Sequence, residues 1–226
     1  MPPTGRQGVP LDERVLADLK AEPLAITVFR TSWIPPRGEA DPLYTEPYTN
    51  RFGTAAGTVY TASSTAVAWA ETCRNQSEWI EESNPLGVTN VSLAEIARFA
   101  TTEINRLVIP RAVHELEFVF QRVVDLRSVT AQDLLEGAGM EATDLRVDNY
   151  GRCGDLAAAA VALGWQAILV PSAAWDPTAG FCVPVFKPAA AGALIRVERL
   201  AEAALPTLAV AHLTRYLEGH RPSWLP

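Results

Sequence analysis

The chain has 226 residues, 48% of them hydrophobic and 20% charged, with a formal net charge of −7. This balance describes one folded domain with a buried core and excludes a disordered chain. The acidic surplus argues against a nucleic-acid surface, which needs a basic face to neutralise phosphates. Three cysteines, Cys73, Cys153 and Cys182, are odd in number and form no CxxC, so neither a disulfide framework nor a zinc site is expected. They read as structural thiols in a reducing cytosol. The opening "MPPTGRQGVPLDERVLADLK" lacks the apolar centre of a signal peptide, and no uncharged apolar run approaches the ~20 residues of a membrane span. A cytoplasmic location is the expectation.

In chain order, residues 1–22 read as a lead-in followed by a short amphipathic helix, "LDERVLADLKAE". Residues 23–226 read as a single domain. "LAITVFRTSW" is a buried strand, with Arg30 the odd residue because an arginine among core neighbours needs a partner or a pocket. The Pro-, Gly- and Tyr-rich stretch 34–50 reads as a functional loop. "GTVYTA" is a compact strand, and Ser63 or Ser64 can cap the helix "STAVAWAETCRN". Ala66, Trp69, Ala70 and Cys73 form that helix's core stripe, with Glu71 on its flank. Residues 76–102 look like an insertion with a short helix. "INRLVIP" and "LEFVFQRVVDLR" alternate like strands, "TAQDLLEGAGM" is a helix ending in glycine, and "GRCGDLAAAAVALG" is a small-residue helix. "WQAILVPS", "FCVPVF" and "ALIRVERL" are further strands, and "LPTLAVAHLTRYLEGH" is a closing amphipathic helix. Strands in irregular order with few helices give an α+β fold.

Two apparent motifs fail on context. "GAGMEA" follows a helix rather than a strand, so it is not a dinucleotide fingerprint. "HELEF" has Phe118 where a zinc-protease helix has its second histidine. Three scattered histidines supply neither a metal site nor a Ser-His-Asp triad. Five residues remain at strand ends or on the helix after one: Arg30, Arg51, Tyr60, Glu71 and Ser172. Taken singly each has a structural explanation; the ordered set favours a functional one. Two arginines can hold a diphosphate through forked hydrogen bonds, a tyrosine can stack on a flat ring, and one carboxylate can stabilise a positive sugar-like transition state. Those parts suit cleavage of the nicotinamide–ribose bond of NAD. The leaving group there is already cationic and departs neutral, so the second carboxylate of a glycosidase is not demanded. NAD would be substrate, and no cofactor or metal is expected.

The pattern "VFR … NRFG … GTVYTASSTAVAWAE … DNYGRCGDLAAAAVALGWQAILVPSA" resembles the RES domain of bacterial toxin–antitoxin toxins, from about Ala25 to Phe186. The resemblance implies an ADP-ribosyltransferase-like mixed sheet with peripheral helices, and an NAD glycohydrolase or phosphorylase. By matching position it implies Glu71 as the catalytic carboxylate, with Arg30 beside it in catalysis. Arg30 and Arg51 would bind the diphosphate and ribose, Tyr60 would pack on the nicotinamide side, and Ser172 would contact substrate or orient an arginine. Tyr150 occupies a similar slot. The implied partners are NAD, inorganic phosphate as an acceptor, and an antitoxin with a helix-turn-helix domain. Two departures stand out: the family's tryptophan and asparagine after the arginine are Phe52 and Gly53, and "WDPTAGFCV" lacks a polar asparagine. They keep two alternatives open, a protein ADP-ribosyltransferase and a degenerate binding domain. No acid stands in "AVAWAE" before Glu71, which favours a non-protein acceptor. The flank position of Glu71 predicts that Glu71→Ala abolishes turnover in a folded protein.

Overall fold

The structure is a computed structural model, and it describes residues 11–33, 39–47, 51–72, 111–145, 150–174, 180–187 and 189–200. The insertion expected at 76–102, the strand expected at 104–110 and the closing helix lie outside these residues. The described elements are α1 (Glu13–Leu16), β1 (Glu22–Trp33), β2 (Thr58–Ala62), α2 (65–72), β3 (Arg111–Asp125), α3 (Val129–Gly137), a 3₁₀ turn (Ala142–Leu145), α4 (Tyr150–Ala162), β4 (Ala167–Pro171), β5 (Phe181–Phe186), α5 (Ala189–Ala193) and β6 (Leu194–Arg199). The α+β expectation is met. The expected first helix shortens to one turn.

The six strands form one mixed sheet in the order β1-β2-β5-β4-β3-β6, and β3 also pairs with β1, so five strands close into a ring. The long strand β3 makes this possible. It pairs antiparallel with β1 from Arg111 to Val123, with β6 over His114–Phe118, and parallel with β4 through Val123–Asp125. A register shift between Glu22 and Leu24 of β1 marks a bulge in β3. Gln166 clamps it, its side-chain oxygen accepting from the Gln121 and Arg122 amides at 2.6 and 3.1 Å. A bulge adds one residue and reverses the facing of the strand residues beyond it. Leu116, Phe118 and Phe120 therefore share one core with Val123, while Val124 enters the other.

Those two cores lie on opposite sides of the sheet. Strand residues alternate between them: Ile168 and Val170 of β4 join the core beneath the helices, Ala167 and Leu169 the second core, which α5 covers. Serines cap two of the helices, and of the two candidates expected for α2 it is Ser64 that does so. Ser128 accepts from the Ala131 amide at the start of α3, and Ser64 from the Val67 amide at the start of α2. After α3, Gly139 adopts φ +89° while the Met140 amide returns to the Leu135 carbonyl and the Gly139 amide to Glu136. This Schellman ending is what "GAGM" encodes. Gly57 at φ +88° closes the turn into β2, where a Cβ would lie 2.7 Å from Thr45 Cγ2, so both conformation and space demand glycine there. No described helix is long and apolar enough to cross a membrane.

Candidate functional site

Two strand ends, that of β4 and the start of β5, supply four donors to one carboxylate. Ser64 starts α2, and two turns later the helix carries Glu71 toward the end of β4. Pro171 ends β4, and the chain bends so that Ser172 and the next two amides turn back toward the helix. Glu71 Oε1 accepts from the Ser172 hydroxyl at 2.6 Å, the Ala173 amide at 2.9 Å, the Ala174 amide at 3.3 Å and the Cys182 thiol at 3.3 Å. Its other oxygen, Oε2, receives none of these donors. One oxygen is anchored by four donors and the other by none of them.

Arg51 sits beside this carboxylate. The segment before β2 is folded back by Thr54 and Thr58: Thr58 Oγ1 donates to the Phe52 carbonyl at 2.7 Å, and Thr54 Oγ1 to the Gly57 carbonyl at 2.9 Å. That turn buries Arg51 to 4% exposure over the Phe52 ring. Its guanidinium donates to the Leu145 carbonyl at 2.5 Å and to the Tyr60 hydroxyl at 2.7 Å. Burial works against the charge, but Tyr60 and Glu71 outweigh it and raise the Arg51 pKa, so Arg51 stays cationic. Burial, followed by Cys182 and Glu71, pushes the Tyr60 phenol well above its ordinary range, against Arg51. Burial and then Glu71 do the same to the Cys182 thiol. Both groups remain protonated donors at neutral pH.

The structure thus brings together Arg51, Tyr60, Glu71 and Ser172. It places Arg30 on the other face of β1. The neighbours Phe29 and Thr31 face the helices: Phe29 packs on the first core and Thr31 Oγ1 meets Thr72 Oγ1 of α2 at 2.5 Å. By alternation Arg30 faces the second core, where it donates to the Tyr44 carbonyl and lies across from His114 of β3. It is also the next residue after Phe29, whose pairing with Ala62 is the single register position joining β1 to β2. Arg30 therefore stands where those two strands part. Tyr150 opens α4, and its side chain lies outside the described residues. Reading residue types did not single out Cys182 or the backbone donors of 173–174. Strand parity could have found the thiol, because Cys182 pairs with Ala62 and Val170 on the helix-facing side.

Comparison with known proteins supplies the family. The RES domain family matches residues 26–206. Among solved structures, the crystal structure of the M. tuberculosis MbcT–MbcA toxin–antitoxin complex contains a chain similar in fold, with a TM-score of 0.57 at 20% identity, covering 89% of this chain and 95% of that one. No curated protein matches. With its family match spanning most of the sequence and the expected arginine, glutamate and serine segments in the expected order, the chain belongs to the RES-domain family.

Proposed function

We propose that this RES-domain protein is the toxin of a toxin–antitoxin pair and consumes NAD by cleaving its nicotinamide–ribose bond. The observation that carries the reading is the half-anchored carboxylate: Glu71 Oε1 holds four donors and Oε2 none of them. A carboxylate fixed in this way can be preorganised against a positive charge that develops only in the transition state, which is where electrostatic stabilisation accelerates a reaction. As the C–N bond breaks, the electron pair leaves with nicotinamide, which departs neutral, and the ribose carbon becomes oxocarbenium-like. Glu71 Oε2 would face that cation or polarise a ribose hydroxyl. Arg30 would bind the diphosphate, Tyr60 would border the nicotinamide side with Arg51 behind it, and Ser172 would hold Glu71. Tyr150 would contact the same substrate.

Water and inorganic phosphate are the acceptors considered. Each would add to the ribose carbon, giving ADP-ribose or its 1-phosphate. An antitoxin is the expected partner, since the structurally similar M. tuberculosis chain is solved in a toxin–antitoxin complex; a helix-turn-helix domain on that antitoxin remains the family expectation. The reaction would take place in the cytoplasm, on the cell's own NAD. The test is to incubate the purified full-length chain with NAD, with and without phosphate, and measure free nicotinamide over time. Release supports the reading, and phosphate dependence names the acceptor. Absence of release from folded protein under both conditions refutes it.

A further inference from the structure

The proposed reaction uses Glu71, Ser172 and the arginines, and leaves a buried thiol in contact with the catalytic carboxylate. Cys182 is 0% exposed, and its Sγ lies 3.3 Å from Glu71 Oε1. The Tyr60 hydroxyl lies close enough to the same thiol to bear on its ionisation, and Tyr60 accepts from Arg51 at 2.7 Å. The Leu145 carbonyl and the Tyr60 hydroxyl receive the Arg51 fork, and the thiol gives its one proton to Glu71.

Two features make this more than core packing. The thiol's apolar contacts belong to the helix-facing core, yet its sulfur is spent on the carboxylate rather than on a neighbouring carbonyl. Its backbone also holds it rigidly, because β5 pairs Cys182 with Ala62 on one side and Val170 on the other. A donor fixed by two strands determines where an acceptor oxygen sits.

We infer that Cys182 is a positioning residue for Glu71. Its S–H is the fourth donor on Oε1 and, with the other three, fixes Oε2 as the oxygen turned toward the substrate. This inference rests on the NAD-cleaving reading for its kinetic consequence and on geometry alone for the bond itself.

The experiment compares wild type, Cys182→Ala and Cys182→Ser as full-length folded chains. Nicotinamide release from NAD gives kcat and KM, and the infrared S–H stretching band reports the bond directly. Cys182→Ala is expected to lower kcat about tenfold with KM within about twofold, the loss of one donor to a charged acceptor. Cys182→Ser keeps a donor and is expected to recover most of that loss. In the infrared, the band lost in Cys182→Ala is expected at higher frequency in a Glu71→Gln protein, whose neutral amide oxygen is the weaker acceptor. A Cys182→Ala protein with wild-type kcat, or a Cys182→Ser protein as slow as Cys182→Ala, overturns the inference. If wild type releases no nicotinamide, the NAD reading falls instead, and the band decides this one: an S–H frequency indifferent to Glu71→Gln overturns it.

Discussion

Replacing Glu71 by glutamine separates the charge of the site from its architecture. All four donors meet a single oxygen. A glutamine can place its carbonyl oxygen at that point and its amide nitrogen at the Oε2 position, which none of them occupies. The hydrogen bonds survive but lose their ionic character, so the expected cost in unfolding free energy is about 1 kcal/mol. The expected cost to the reaction is larger. Removing one preorganised charge from a transition state costs ~10²–10³ in kcat, about 2.7–4 kcal/mol. Glu71→Ala is a poorer instrument than the flank position suggested. It strands the hydroxyl of Ser172 and the thiol of Cys182, both 0% exposed, at ~1–3 kcal/mol for each buried donor left unmade. Nicotinamide release by chromatography, beside urea unfolding at pH 7, reads both quantities. A folded Glu71→Gln protein with kcat within about twofold of wild type would refute the assignment of Glu71.

The neighbouring contacts give two further expected outcomes. Tyr60→Phe deletes the acceptor of one Arg51 N–H inside a site where the arginine is 4% exposed. Urea unfolding should show a loss of about 2 kcal/mol, the scale of one hydrogen bond to a charged group, and a loss below about 0.5 kcal/mol would contradict the pairing. His114 is buried, and burial first, then Arg199 and Arg30, with Asp41 opposing, lowers its pKa below the ordinary value of 6.5. The folded state therefore binds its proton less readily than the unfolded chain. Stability should fall as pH drops from about 7 through 6.5 toward the lower folded value, then level off. Thermal unfolding from pH 8 to 5 should show a shallower decline in His114→Gln, and identical slopes would remove His114 as the cause.

Much of the site was legible because its residues sit next to strong local punctuation. Ser64 announces the helix that carries Glu71, and Pro171 ends the strand before Ser172. What stayed hidden has physical reasons. The amides of Ala173 and Ala174 donate to Glu71 through backbone, and an alanine's identity says nothing about where its N–H points. The side taken by Arg30 is written in β1 itself: Leu24, Ile26 and Val28 alternate with exposed Ala25 and Thr27 and carry Arg30 to the face of the second core, an alternation obscured by Phe29, which packs on the other core. The helical stripe expected at Ala66, Trp69 and Ala70 is broader in the structure, where Val67 through Ala70 are all buried. The ring closure is likewise non-local. It rests on β1 meeting β2 at one register position and β3 along most of its length.

The two arginines expected to share one substrate group are in different circumstances, and this bears on how the proposed reaction would work. Arg51 is enclosed, and two of its N–H groups are committed to Leu145 and Tyr60. A fork so engaged is poorly placed to grip a diphosphate, which needs two parallel donors facing outward. Its proximity to Glu71 has a different value. A cation held behind Glu71 attracts the carboxylate and keeps it in one place, and a fixed Glu71 is what an oxocarbenium-like ribose requires. Arg30 is half-buried where β1 and β2 part. On this reading the labour divides: Arg51 holds the carboxylate in place before substrate arrives, and Arg30 meets the phosphates. The two functions make distinct kinetic demands. Arg30→Met should raise KM for NAD with a smaller change in kcat, while Tyr60→Phe, by loosening Arg51, should lower kcat with KM nearly constant. If both variants raised KM alike, the division would be wrong and the two arginines would be acting on the same group.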